Sequence, residues 1–333
     1  MSSLPKQLRK VTDKALLRQL EKGLELVEAA LEAAVAHTDP IASVTARHLS
    51  SAGGKRVRPT LVLLTAQFGD SPLAQGVIDS SVVVELTHLA TLYHDDVMDN
   101  APMRRGVPSA HEIWGNSVAI LTGDLLFARA SQVVSRLGER ALSLQADTFE
   151  RLCLGQLHET VGPQESDDAV THYIQVLADK TGSLIAAAAE LGIMFSGANQ
   201  DFREPVREFG ERIGVAFQLI DDVIDLQSDS ATSGKTPGTD LLAGVPTLPT
   251  LYLRQMAATD ASAAALVARI DSVDEVSLAG VVADLGKHEA TNRAYEEAKR
   301  WAAGAVAALA PLPDTTAKQA MIAFAEAVVE RSN

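Results

Sequence analysis

Two short aspartate runs carry the strongest chemical signal in this chain. Asp95-Asp-Val-Met-Asp99 and Asp221-Asp-Val-Ile-Asp225 share one spacing. Residues four apart lie on one helix face, so Asp95 can share a cation with Asp99, and Asp221 with Asp225. Asp96 points about 100° away and reads as an outer ligand. Like charges held at this spacing destabilise a helix unless something neutralises them. Oxygen-only ligand sets suit hard ions such as Mg²⁺, which keeps waters and bridges carboxylates to substrate phosphates. A single run of this kind reads as a solvated helix end; two copies, each closing an apolar helix, point to metal.

Cations gather beside these acids. Gly53-Gly-Lys-Arg-Val-Arg-Pro59 places Lys55, Arg56 and Arg58 after two glycines, a pattern suited to diphosphate capture by backbone and side chain. Arg104-Arg105 follows the first aspartate run after a short turn, Lys180-Thr181 sits at a helix junction, and Lys235 lies in Ser233-Gly-Lys-Thr-Pro-Gly238. His88 precedes Asp95 by two helical turns, roughly 10 Å along the same side, where it can meet a phosphate oxygen. The chain carries 29 basic and 43 acidic residues, a net charge of −14. Acid clusters flanked by cations in an acidic chain imply an anionic substrate bridged by metal, with two polyphosphate subsites. The same balance argues against a general nucleic-acid backbone binder.

The elements that must position these groups read as helices. Hydrophobic residues are 47% and aromatics only 4%, alanine and leucine are spread throughout, and alternating β-branched runs are scarce. Helical spacing is expected over residues 15–37, 113–137, 140–159, 168–179, 183–197, 202–226, 249–258, 273–309 and 315–330. Ser71 with Pro72 reads as the start of a long helix to about Asp99, apolar on more than one face and therefore buried. The largest irregular stretch, 228–249, is long enough to be functional. No Pro/Gly/Ser linker or fixed-period repeat divides the chain, so one all-helical domain over 1–333 is expected. The lone Cys153 excludes an internal disulfide and is read as structural. The N-terminus lacks the apolar core of a signal peptide, and the longest uncharged stretches are thirteen residues. A cytoplasmic protein with no stable membrane insertion is expected.

In their order along the chain, Gly53–Pro59, His88, Asp95–Asp99, Arg104-Arg105, Lys180-Thr181, Phe217–Asp225 and Gly234-Lys235 resemble the trans-isoprenyl diphosphate synthases. The resemblance implies an all-α bundle around a deep central cavity, usually a homodimer. It implies condensation of isopentenyl diphosphate with an allylic diphosphate on Mg²⁺, three ions per site. Carried over by position, Lys55, Arg58, His88 and Arg105 would hold isopentenyl diphosphate. Asp95, Asp99 and Asp221 would bind Mg²⁺ on the allylic diphosphate, with Asp222 and Asp225 assisting. Arg104, Lys180, Thr181, Gln218 and Lys235 would contact the allylic substrate, with the Thr181 and Gln218 oxygens facing the carbocation. One position departs from the family: Gly244-Val-Pro-Thr-Leu-Pro249 has Val245 where many relatives carry a phosphate-contacting lysine.

Product length is read from the helix before Asp95. Relatives making short products carry aromatics four or five residues before the motif; here those positions are Thr91 and Ala90, with Thr87 a turn further. Small residues there imply an open passage and a medium-to-long polyprenyl product, of the kind that supplies quinone side chains. The competing readings are a geranylgeranyl- or farnesyl-length synthase, a terpene cyclase and a non-catalytic regulatory subunit. Lys55, Arg58 and His88 count against the cyclase, and six intact motif aspartates against the regulator.

Overall fold

The computed structural model describes residues 13–227 and 237–330. The chain divides into two compact units. The first holds residues up to Glu150, Leu184–Gly210 and Leu309–Ala323; the second holds Arg151–Ser183, Glu211–Ala308 and the segment from Phe324.

The first unit opens with α1 (Lys14–Val35), capped by the Asp13 carboxylate on Ala15 N–H. Leu16, Leu20, Leu24, Val27, Leu31 and Val35 recur every three or four residues and are buried, which is what makes this segment a helix with one inner face. Next come α2 (Pro40–Ser51), with Asp39 as N-cap, and α3 (Val57–Thr65). The long α4 (Gln75–Met98) buries Val77, Val82, Val83, Leu86, Leu89, Ala90 and Tyr93 on several faces, as a central helix must. A two-residue-turn hairpin, β1 (Met103–Arg104) with β2 (Val107–Pro108), follows it. Then α5 (Ala110–Trp114) leads to α6 (Asn116–Val134), which packs along α4.

α7 (Glu139–Val161) contributes to both units. In the second unit lie α8 (Ala169–Leu177), N-capped by Asp168, and a π turn, Ala178–Gly182. α9 (Ser183–Phe195) belongs almost wholly to the first unit, and α10 (Arg203–Gln227) to both. The second unit continues with α11 (Thr239–Leu242), α12 (Leu248–Ala257), α13 (Ala261–Ile270), α14 (Leu278–Gly286) and α15 (Glu289–Ala308). α12 packs against α13 and α15, and a Thr247/Thr250 capping box starts it. α16 (Thr316–Val329) closes the described chain.

The all-α reading holds: the described strands are the four residues of the hairpin. Three local expectations change. α4 starts at Gln75 with Ala74 as N-cap. Ser71 instead turns the chain, accepting Ala74 N–H at 3.0 Å and donating its own N–H to Ser196 O at 2.9 Å. The 273–309 stretch is two helices, broken where the His288 ring accepts Ala290 N–H at 3.1 Å. α13, not foreseen, starts at the Asp260 cap. Residues 116–137 reach the length and apolarity of a membrane span despite Asp124 and Arg129, but their α6 portion packs along α4.

Candidate active site

In the first unit the accessible stripe of α4 is His88, Thr91, Leu92, Asp95 and Asp99, at helical spacing. Asp99 caps the helix, its N–H on Asp95 O at 2.8 Å. Asp96 turns inward and is fully buried; its Oδ1 accepts from Arg104 Nε at 2.6 Å, while Oδ2 has no hydrogen-bond partner. Arg104 and Arg105 are presented by the hairpin. Arg105 (φ 54°) and Gly106 (φ 79°) both adopt left-handed backbone, the requirement of a type I′ turn, and the glycine meets it without strain.

Behind this stripe the cations are organised by a carboxylate that sequence reasoning missed. Glu85, 2% exposed, pairs with Arg56 at 2.6 Å and stands 3.7 Å from Arg105. Arg56 also reaches Glu28 at 2.6 Å and is thereby committed to the scaffold. Arg105 Nη1 donates to the carbonyls of Leu49, at 3.1 Å, and Gly53. The Arg58 Nε is buried without a partner, and burial lowers its guanidinium to about 10 against the pull of Glu85. Burial, then Arg58, Arg105, Arg104 and Arg56, holds His88 well below the usual imidazole value, so its ring is neutral. Lys55 is exposed. The signal for Glu85 was available: it is the lone acid in an apolar run, three residues before His88.

The second aspartate run closes α10 and is built differently. Asp222, 4% exposed, has no cation among the described residues; its Oδ2 accepts from Tyr173 OH at 2.6 Å and Leu248 N–H at 3.3 Å. Burial pushes it up to about 8, opposed by those two bonds and reinforced by Asp240 and Asp221. Asp225 Oδ2 accepts from Gly238 N–H at 3.1 Å. Gln218 and Asp221 are half-buried, three residues apart on the same face as Asp225. Lys180 and Thr181 are half-buried on the π turn, with Lys180 Nζ on Glu159 at 2.5 Å. Val245 is 43% exposed, and Lys235 lies outside the described residues.

The three residues expected to line the product passage differ in exposure. Ala90 (0% exposed) and Thr87 (1%) are walled in by packing, and the Thr87 hydroxyl has no partner. Of the three positions, Thr91 alone reaches accessible space.

The donor chemistry fits Mg²⁺. α4 and α10 both end in aspartates with no basic residue in the last turn, where the helix dipole is already negative. Among the described residues no three His, Cys, Asp or Glu side chains converge into a ready cage. Mg²⁺ is commonly held by one or two carboxylates, with waters and substrate phosphates completing the shell.

An all-α fold with two carboxylate clusters and a cluster of arginines defines a class of enzyme that handles diphosphates through divalent metal. The Polyprenyl synthetase family model matches residues 39–280, and the chain belongs to that family of prenyltransferases. It is 42% identical to the nonaprenyl diphosphate synthase of Mycobacterium tuberculosis, over 96% of this chain and 95% of that one. It is 36% identical to heptaprenyl diphosphate synthase component 2 of Geobacillus stearothermophilus, over 92% and 94%. A solved geranylgeranyl pyrophosphate synthase of Corynebacterium glutamicum, complexed with calcium and isoprenyl diphosphate, is 39% identical, with a TM-score of 0.85 over 96% and 98%.

Proposed function

We propose that this chain joins isopentenyl diphosphate head-to-tail to an allylic diphosphate and extends the product to roughly thirty to fifty carbons, all-trans. The observation that carries the reading is the pair of aspartate clusters, each ending a helix that supplies no cation of its own in its last turn. Arg58, Arg105, neutral His88 and exposed Lys55 suit the isopentenyl diphosphate, whose charge does not change during ionisation. Asp95, Asp99, Asp221 and Asp225 offer oxygens to Mg²⁺, three ions in all, with Asp222 as their buried support. Bound Mg²⁺ supplies electrostatic stabilisation of the departing diphosphate. Arg104, Lys180 and Lys235 neutralise the allylic diphosphate, and the Thr181 and Gln218 oxygens face the allylic cation. The allylic C–O bond breaks with its electron pair leaving on diphosphate. The isopentenyl double bond supplies the new C–C bond, and its lost proton passes to the released diphosphate.

A cytoplasmic homodimer feeding quinone side-chain synthesis completes the reading. Because one relative is named a second component, the test uses this chain alone. Purified protein with Mg²⁺ and an allylic diphosphate should release nothing new until isopentenyl diphosphate is added, and then a longer diphosphate. Hydrocarbon released from the allylic substrate alone would identify a cyclase; no product with both substrates would identify a regulatory or dependent subunit.

A further inference from the structure

Lys180 and Thr181 do not lie on an ordinary helical turn. Ala178–Gly182 is a single π turn, closed by Ser183 N–H on Ala178 O. Such turns are rare and recur at functional sites, and they persist where the surroundings hold them. Here one stripe of α7 does so: Arg151, Gly155 and Glu159, four residues apart on one face. Arg151 Nε donates to Asp179 Oδ1 at 2.7 Å, and its Nη1 to Glu211 Oε2 at 2.6 Å. Its Nη2 reaches Ala178 O at 3.4 Å. Gly155 admits the turn itself, since a Cβ there would lie 2.7 Å from Lys180 N. Glu159 takes the Lys180 ammonium at 2.5 Å.

α10 also packs against the turn. A Cβ on Gly182 would lie 3.0 Å from Glu211 O, so the backbone of α10 meets the turn beside the Arg151 partner. Asp179, 8% exposed, also accepts from Gln175 Nε2 at 2.8 Å, and its carbonyl takes Ser183 Oγ–H at 2.5 Å. The guanidinium thus joins α7, the π turn and α10 through two carboxylates in a fixed fork geometry.

We propose that Arg151 is a positioning residue: by bridging Asp179 and Glu211 it fixes the π turn so that Lys180 and Thr181 are presented together to the allylic diphosphate. This rests on the reading that Lys180 contacts that substrate. Arg151 touches no substrate and acts through the turn it holds.

Steady-state kinetics on Arg151→Met tests it. The KM for the allylic diphosphate should rise about tenfold and kcat fall about tenfold, with the KM for isopentenyl diphosphate within about twofold of wild type. In a Lys180→Ala background, Arg151→Met should add no more than about twofold. Arg151→Lys, a point charge that reaches one carboxylate at a time, should recover part of the loss. Equal changes in both KM values, or the full loss repeated in the Lys180→Ala background, would overturn the proposal. Should Arg151→Met not fold, the neutral triple variant Arg151→Met, Asp179→Asn, Glu211→Gln removes the unpaired charges. It should melt near wild type and keep the allylic defect, and wild-type kinetics in it would overturn the proposal. Lys180→Ala alone with a wild-type allylic KM would remove the substrate assignment, and the proposal with it, without any change at Arg151.

Discussion

The two aspartate clusters have the same spacing and different solutions to the same problem. In each, the middle carboxylate is driven inside. Asp96 is neutralised by a guanidinium, Arg104, delivered by the hairpin that follows α4. Among the described residues Asp222 has no such cation; burial pushes its carboxyl up to about 8, and Tyr173 OH and Leu248 N–H donate to its oxygen. A shared motif therefore specifies which carboxylates face outward, while the fate of the inward one depends on what the fold packs behind it.

The largest expected effect tests what the clusters share. Asp95→Ala and Asp221→Ala should each lose on the order of 10²–10⁵ in rate with the fold intact by circular dichroism, as the proposed role of both in supplying oxygens at the departing charge requires. A near-wild-type rate for either variant in metal-stripped buffer restored with Mg²⁺ would break the equivalence of the two.

The next effect tests how they differ. Asp96→Asn leaves Arg104 without its buried partner and should cost about 3 kcal/mol in urea denaturation. Asp222→Asn keeps an oxygen for Tyr173 OH and Leu248 N–H and leaves no described cation unpaired, so it should stay within about 1 kcal/mol of wild type near pH 7. Equal losses at the two positions would contradict the contrast.

The cationic cluster of the first unit supplies a pH test. His88 is neutral when folded, its proton affinity held far below 6.5, whereas unfolded it binds a proton below about 6.5. Below that pH the unfolded chain holds more protons, so stability must fall as pH falls, by at most about 1.4 kcal/mol per unit from this group. His88→Gln should flatten that slope in denaturation curves between about pH 6.5 and 5.5; an unchanged slope would mean that His88 is charged in the fold. The same variant, with Arg58→Ala, should raise the KM for isopentenyl diphosphate more than that for the allylic substrate.

These contrasts mark what the sequence made legible. Helix content, the burial of α4 and the outward stripe of Asp95 and Asp99 follow from spacing alone, because a 3.6-residue period fixes which side chains share a face. Glu85 and Arg151 were not found, since their roles lie in ion pairs with residues tens of positions away, which no local period encodes. The π turn was equally invisible: Asp179 within it is held by Arg151 of α7, and α10 packs against it, partners that no local period reveals. Spacing alone does not assign the product passage, because small side chains at 87 and 90, both buried, serve close packing as readily as they line a channel. The smallest expected effect follows from this. Thr91→Phe, at the one accessible position, should shorten the product with little loss of stability, while Ala90→Phe should destabilise the fold through overpacking by roughly 1–3 kcal/mol.

The most direct test of the central claim is product length from the chain alone: purified protein, Mg²⁺, an allylic primer and excess labelled isopentenyl diphosphate, read by chromatography. A metal-dependent ladder ending at roughly thirty to fifty carbons is the expected result. A product that stops at fifteen or twenty carbons, or label incorporated equally well in chelator, would contradict it.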